Sequence, residues 1–354
     1  MPSLNTLDVA VLPGDGIGPD VIAEALKVLN ASRQTMNAVD FNFTEYSVGA
    51  GEFLKSGDPL PEDTFQKIAQ HKVILLGAMG LPGIRWPNGN EMVPQIDIRD
   101  KLDLYFGVRP IKLYLESDSP LRRPGNIDFT IIRENCEGLF ASRKQIFSLD
   151  APEVRDTMLI TRHGSERLFR DSFNLARKRR SKVTLVDKAN VLPTMSYFRH
   201  IFDQIAAEFP DVTTERVYVD AVTLYILSRP SSFDVMVTEN MFGDILSDMA
   251  AGIIGGMGMA PSGDIGPKHA VFQPSHGSAP DIAGKSIANP VATILSAAMM
   301  LEWFEDTEVQ KGADAIYGAV EKVLADPANR CPDLGGKLRT EQMGDKIAEA
   351  VARG

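Results

Sequence analysis

Short apolar runs alternate with stretches of helical periodicity along this 354-residue chain, and nothing else in it limits the possible folds so sharply. The first run, Val9–Leu12, ends in Pro13-Gly14-Asp15-Gly16-Ile17-Gly18-Pro19, after which Ile22, Ala25, Leu26 and Leu29 recur at helical spacing. That order is strand, glycine turn, helix. Phe41–Tyr46 alternates like a strand, and Val73–Leu76 is continuously apolar, as a strand covered on both faces must be. Phe129–Ile132, Val183–Val186 and Val235–Thr238 are further strand candidates, with helical patterns near 62–70, 165–180, 194–208 and 240–254. Such alternation predicts an open α/β sheet with crossover helices. At roughly 100–200 residues per domain, the length predicts two domains.

Two segments break the pattern. Gly80–Asp97 is rich in Gly and Pro and reads as a loop, either a mobile lid or a surface excursion. Gly255–Pro267 reads as a glycine-rich connector. The basic run Arg177–Lys182 falls at a helix end, where cations complement the dipole, so a solvated terminus is expected there. With 37 Lys+Arg against 47 Asp+Glu, the net charge of −10 disfavours nucleic acid as a partner. An anionic substrate then needs a local pocket of Arg or Lys. Cys136 and Cys331 are too few for a disulfide framework or a cysteine-rich zinc site, and fit a reducing, cytoplasmic compartment. Met1–Leu12 shows no signal-peptide pattern, and no apolar run approaches the ~20 residues of a membrane span.

Several constellations carry chemistry. Gly14-Asp15-Gly16-Ile17-Gly18 fails the dinucleotide fingerprint Gly-x-Gly-x-x-Gly, because Pro19 stands at the third glycine position. A tight strand-to-helix turn is the simpler reading. Asp244 and Asp248 share one helix face and repel, so they call for a compensating cation, water or ligand; Mg²⁺ or Mn²⁺ suits two carboxylates with a third oxygen donor. The plain alternative is an exposed acidic face. Arg99, Arg109 and Arg133 would suit a dicarboxylate if they converged, and Arg133 follows an apolar strand, where α/β sheets place ligand contacts. Taken singly, each reads as a surface ion pair. Lys188 ends another strand and can take or give a proton if it lines a cleft; otherwise it is a surface lysine. His276-Gly277-Ser278-Ala279-Pro280-Asp281 reads as a turn, or as a loop around a cofactor's adenosine half. There the Asp281 charge would accept from ribose hydroxyls and repel a 2′-phosphate.

GDGIGPDVI (14–22), LDLYFGVRP (102–110), RENCEGLF (133–140), DKANVLP (187–193), ENMFGDILSDMAAG (239–252) and HGSAPDIAGKSIANP (276–290) occur in this order. Together they resemble the β-decarboxylating dehydrogenases: the isopropylmalate, isocitrate, homoisocitrate and D-malate/tartrate enzymes. The resemblance spans nearly the whole chain. It implies a two-domain α/β fold of isopropylmalate/isocitrate dehydrogenase type, not a Rossmann fold. Residues 1–104 and 255–354 would form a discontinuous cofactor-side domain, and 105–254 a central domain with the metal site and dimer contacts. A homodimer with shared sites is implied. So are substrate carboxylate contacts from Arg99, Arg109 and Arg133, and Mg²⁺ or Mn²⁺ on Asp244 and Asp248 with Asp220 of the partner chain. Lys188, also from the partner chain, would take the hydroxyl proton with Asp220 beside it. Ile17, Asn190, His276, Gly277, Ser278, Ala279, Asp281 and Asn289 would bind the cofactor. Asp281-Ile282 resembles NAD users; NADP users of the isocitrate branch carry Lys-Tyr there.

Two positions depart from the family pattern. The enol-protonating Tyr, seven residues after the motif arginine, is Phe140 here; Gln273 stands where Glu is usual. An active enzyme with another proton source is expected, with a weakly active or non-catalytic paralogue as the alternative. Substrate choice lies before Arg99. Val93 and Gln95 replace the Ser and Asn of isocitrate users, and Ile96 replaces the Arg of homoisocitrate users. Ile96 with Met92 nearby points to a 3-substituted malate, 3-isopropylmalate first and D-malate or tartrate second.

Overall fold

The computed structural model describes residues 6–87 and 89–354. Met1–Asn5, part of the N-terminal reading, and Asn88, within the expected loop, lie outside them. In chain order the strands and helices begin with β1 (Thr6–Gly14), α1 (Gly18–Ser32), β2 (Asp40–Glu45), α2 (Ala50–Ser56), α3 (Glu62–Ile68), β3 (Val73–Ala78) and α4 (Pro94–Lys101). β4 (Phe106–Lys112), β5 (Asp128–Glu134), α5 (Arg162–Arg177), β6 (Lys182–Asp187), α6 (Pro193–Ala206) and β7 (Thr213–Tyr218) follow. Next come α7 (Val219–Ser228), β8 (Val235–Thr238), α8 (Asn240–Gly252), β9 (Pro261–Ile265) and β10 (Ala270–Pro274). The chain ends with α9 (Val291–Trp303), α10 (Thr307–Leu324) and α11 (Thr340–Arg353).

These elements form two compact units. The first combines the chain up to Leu102 with Gly255–Gly263 and Pro267–Gly354; the second is Asp103–Ile254 with Asp264–Gly266. In the first, the strand order is β2-β1-β3-β10-β9, and β2, β1, β3 and β10 pair in parallel. All six residues of β3 are buried, so its continuous apolar run is a strand covered on both faces. α1 turns Val21, Ile22, Ala25, Val28 and Leu29 inward at helical spacing and packs on α11 and α9. α9 is buried all round from Val291 to Leu301, which explains why it has no apolar stripe.

In the second unit the order is β4-β5-β8-β6-β7. β5, β8, β6 and β7 are parallel, but β4 runs antiparallel to β5. The expected crossover sheet therefore carries one reversed strand. α5 and α6 bury the rings of Phe169, Phe173, Phe198 and Phe202. Phe169 and Phe198 lie 4.6 Å apart by centroid, and Phe173 and Phe209 4.8 Å. Each such ring removed from water contributes about 1.5–3 kcal/mol.

Two expectations are revised and a third is refined. The Gly80–Asp97 loop ends early, because α4 starts at Pro94, where a missing N–H costs nothing. The Gly255–Pro267 connector contains β9. The basic run is a solvent-exposed helix end, as expected, and its arginines are also paired. Arg177 binds Asp211 through both forks, Arg179 binds Asp128 and Asp234, and Arg180 donates to the Asp128 and Phe233 carbonyls. Cations so engaged are not presented to a polyanion.

Candidate active site

The second unit builds its charged site where β5 meets α8. Arg133 pairs in register with Thr238 near the end of β5 and is buried. Its Nε and Nη2 donate to Asn240 Oδ1 at 2.9 and 2.7 Å, and its Nη1 donates to Asp244. Helix and strand come this close because residue 243 is glycine: a Cβ there would lie 2.7 Å from the Cβ of Arg133. Glu239 caps α8, accepting from Met241 N–H at 3.1 Å and Phe242 N–H at 2.7 Å. Burial raises its carboxyl, against those two bonds.

Asp248 lies one turn beyond Asp244. Burial, and then the Asp244 charge, raise its carboxyl; Arg133 and Arg109 act in the opposite sense. The two aspartates are thus a like-charged pair on a largely exposed helix face, with Asp244 also held by Arg133.

Arg109, on β4, donates from Nη2 to Asp264 Oδ1 at 2.8 Å, with side chains 4% and 0% exposed. Asn135 Nδ2 donates to the same oxygen at 2.8 Å. Arg99 is buried on α4 of the first unit. None of the three arginines is the surface ion pair that each suggested singly. For Arg109 the reason is a partner 155 residues away, invisible to local pattern.

Lys188 Nζ meets Asp220 at 2.6 Å, and this bond holds the Asp220 carboxyl below its usual range. The preceding residue, Asp187, is fully buried; it takes both forks of Arg199 at 2.7 Å and the Ala189 N–H at 3.1 Å. That fixes the turn bearing Lys188 and the exposed Asn190. Among the described residues no three His, Cys, Asp or Glu side chains form a metal-holding group. One chain therefore gathers Asp244 and Asp248 without Asp220.

In the first unit, the Ile17 N–H donates to the Ser278 carbonyl at 2.8 Å. Ile17, Val21 and Ala288 form a buried cluster with Ala279, Ile282 and Ala283 packed on it. His276 Nδ1 lies 2.9 Å from the Gly277 carbonyl, its Nε2 is enclosed without a partner, and desolvation lowers the imidazole pKa. Asn289 donates to Asp333 at 3.0 Å and accepts from Val291 N–H at 3.1 Å. Asp281 and Gly277 are exposed. Asn190 belongs to the second unit.

Sequence reasoning passed over Asn240, Asp264, Asn135 and Glu134. Only Glu134 had a nearby signal, its place beside Arg133. Its carboxylate accepts from Cys136 N–H at 2.9 Å and Glu137 N–H at 2.6 Å, and burial pushes it up to about 7.

A profile of the isocitrate/isopropylmalate dehydrogenases matches residues 8–347. The chain belongs to that family. It is a family of NAD(P)-dependent, oxidatively decarboxylating dehydrogenases, and the chain is one of its β-decarboxylating enzymes. It is 42% identical to the 3-isopropylmalate dehydrogenase of Corynebacterium glutamicum over 98% of this chain and 99% of that one. It is 41% identical to the 3-isopropylmalate/3-methylmalate dehydrogenase of Methanocaldococcus jannaschii, covering 97% and 98%. Among solved structures, the isocitrate dehydrogenase of Methylococcus capsulatus superposes with a TM-score of 0.87 at 37% identity, covering 98% and 99%. The two-domain α/β family fold is thus present, and among the described residues no helix is long and apolar enough to cross a membrane.

Proposed function

We propose that this dehydrogenase oxidises and decarboxylates a 3-substituted malate with NAD, 3-isopropylmalate first. The observation that carries the reading is the buried pair Arg109 and Arg133 beside the more exposed Asp244 and Asp248. Together they offer guanidiniums for carboxylates and a carboxylate pair for a divalent cation. The pair fits Mg²⁺ or Mn²⁺: an up-shifted Asp248 beside Asp244 is relieved by positive charge, and Asp220 of a second chain would complete the ligands. A homodimer with shared sites follows from that requirement.

When bound, NAD would accept the hydride and the cation would draw charge from the substrate's hydroxyl oxygen. Arg99, Arg109 and Arg133 hold the carboxylates. Lys188 of the second chain, as the neutral amine, takes the hydroxyl proton, and Asp220 beside it holds the ammonium that forms. C2 is thereby oxidised, and the resulting β-keto acid loses CO₂ to leave an enolate that needs one proton. Phe140 cannot supply it, so a water delivers it. Ile17, His276–Ala279, Asp281 and Asn289, with Asn190, hold the cofactor, and the Asp281 charge favours NAD over its 2′-phosphorylated form.

Buried Met92 and half-buried Ile96, just before Arg99, support an alkyl substituent, as do relatives named for isopropylmalate. One observation favours D-malate or tartrate instead: Gln95 Oε1 is buried with no hydrogen-bond partner and would accept from a substrate hydroxyl. A weakly active paralogue is the reading that Phe140 favours.

The test is NADH absorbance with Mn²⁺ and NAD⁺ over 3-isopropylmalate, D-malate, tartrate, isocitrate and homoisocitrate, with CO₂ trapped in parallel. Turnover on 3-isopropylmalate with matching CO₂ is expected. Preference for tartrate would give Gln95 the deciding role, and silence across the panel would leave the non-catalytic reading.

A further inference from the structure

Asp15, in the turn between β1 and α1, is nearly fully buried, and its carboxylate gathers two distant segments. Oδ2 accepts from the Ala50 and Gly80 N–H groups, 2.8 Å each, and Oδ1 from Gly51 N–H at 2.8 Å. The next residues reach a third segment. Ile17 N–H donates to the Ser278 carbonyl at 2.8 Å, and Gly16, at φ 61°, lies so close that a Cβ would stand 1.9 Å from that oxygen. Ser278 Oγ closes the ring by donating to the Gly80 carbonyl. Both backbone polar groups of Gly80 are therefore held, the N–H by Asp15 and the carbonyl by Ser278.

Gly80 opens the loop that leads into α4, which carries Arg99; Ser278 sits in the segment assigned above to the cofactor. All of these residues belong to the first unit. Hydrogen bonds to a carboxylate are strong, and a buried donor deprived of its acceptor is costly, so these segments are held together as one unit. A ligand that fixes Ser278 thereby fixes Gly80, and a ligand that fixes the Gly80–Arg99 segment fixes Ser278. Such mutual bias is a coupling free energy and is reciprocal.

We propose that Asp15 is a positioning residue that couples cofactor binding at 276–289 to acid binding through the Gly80–Arg99 segment. This rests on the assignment of those segments under the proposed function. The experiment is a fluorescence titration of NADH into the full-length protein with Mn²⁺, with and without saturating 3-isopropylmalate, or D-malate if the activity panel selects it. In the wild type the acid tightens NADH binding about tenfold. In Asp15→Asn each ligand alone binds within about threefold of wild type, while the mutual effect falls to about twofold or less. A merely structural role would lower the folded fraction and leave the coupling factor of the folded molecules unchanged. Ser278→Ala cuts the other link to Gly80; it weakens NADH itself, also lowers the coupling factor, and decides the matter if Asp15→Asn does not fold. Variants that keep the wild-type factor overturn the proposal, as does a wild type that binds both ligands without mutual effect. A wild type that binds neither overturns the functional reading beneath it, and the proposal with it.

Discussion

Arg109 Nη2 and Asp264 Oδ1 meet at 2.8 Å with neither side chain more than 4% exposed. A buried pair of this kind contributes little net stability, but removing one partner strands the other's charge. Arg109→Met is therefore expected to cost about 3–5 kcal/mol in urea unfolding. Arg109→Met with Asp264→Asn should recover at least half of that loss, because the amide still accepts from Asn135 and carries no charge. The KM for the acid should remain raised about tenfold or more in both. That split separates the fold's need for neutrality from the substrate's need for a guanidinium; a double variant as unstable as the single would refute it.

Asp244 serves Arg133 on one side and Asp248 on the other. Its side chain is 45% exposed, so the Arg133 contact is partly screened, and Asp244→Asn should lower stability by only about 1 kcal/mol. Activity should respond much more strongly. Half-saturation by Mn²⁺ is expected to rise about tenfold or more, since even neighbours of metal ligands have effects of that size. An unchanged Mn²⁺ requirement would remove Asp244 from the metal site.

Much of the sheet was legible because strands covered on both faces are written as apolar runs: Val73–Leu76 and Val183–Val186 both lie within buried strands. α9 was not, because a helix buried on every side has no period to detect. The shared helix face of Asp244 and Asp248, one turn apart, was legible by spacing; their proposed metal role came only from the family resemblance. The counter-charges were not legible: Arg133 lies 111 residues from Asp244, and Asp264 lies 155 from Arg109. The glycines of the 14–18 turn drew attention, while the buried Asp15 between them did not, since its partners at 50, 51 and 80 come together only in the folded chain.

Glu134 gives a pH signature. Its carboxyl is raised from 4.5 to about 7 by burial, so between those values the folded protein binds a proton that the unfolded chain does not. Its contribution is full below pH ~4.5 and is lost as pH rises through ~7, an effect of about 3 kcal/mol. In urea unfolding at pH 5 and pH 8, wild type should lose stability relative to Glu134→Gln over that interval. Parallel pH profiles for the two proteins would show that Glu134 titrates normally.

Asp281 and Ile282 make the cofactor preference testable. Wild type is expected to favour NAD over NADP by kcat/KM. Asp281→Lys with Ile282→Tyr replaces a repelling charge with an attracting one and should move the NADP/NAD ratio by about tenfold or more, which is ~1.4 kcal/mol or more. A ratio that does not move would place the 2′-hydroxyl away from residue 281.

The guanidinium carbon of Arg133 lies 5.3 Å from the centroid of the Phe140 ring. The aromatic ring is thus kept beside the arginine proposed to hold a substrate carboxylate, while the hydroxyl usual in the family is missing. A positioned acid contributes about 10²–10⁴-fold to a proton transfer. If water now protonates the enolate slowly, Phe140→Tyr adds an acid beside Arg133 without disturbing the ring, and kcat should rise about tenfold or more with a small change in KM. The solvent isotope effect on kcat should fall as protonation ceases to limit turnover. If kcat does not change while CO₂ and NADH form in equal amounts in both proteins, protonation is already fast, and the chain has another acid that takes the place of the tyrosine.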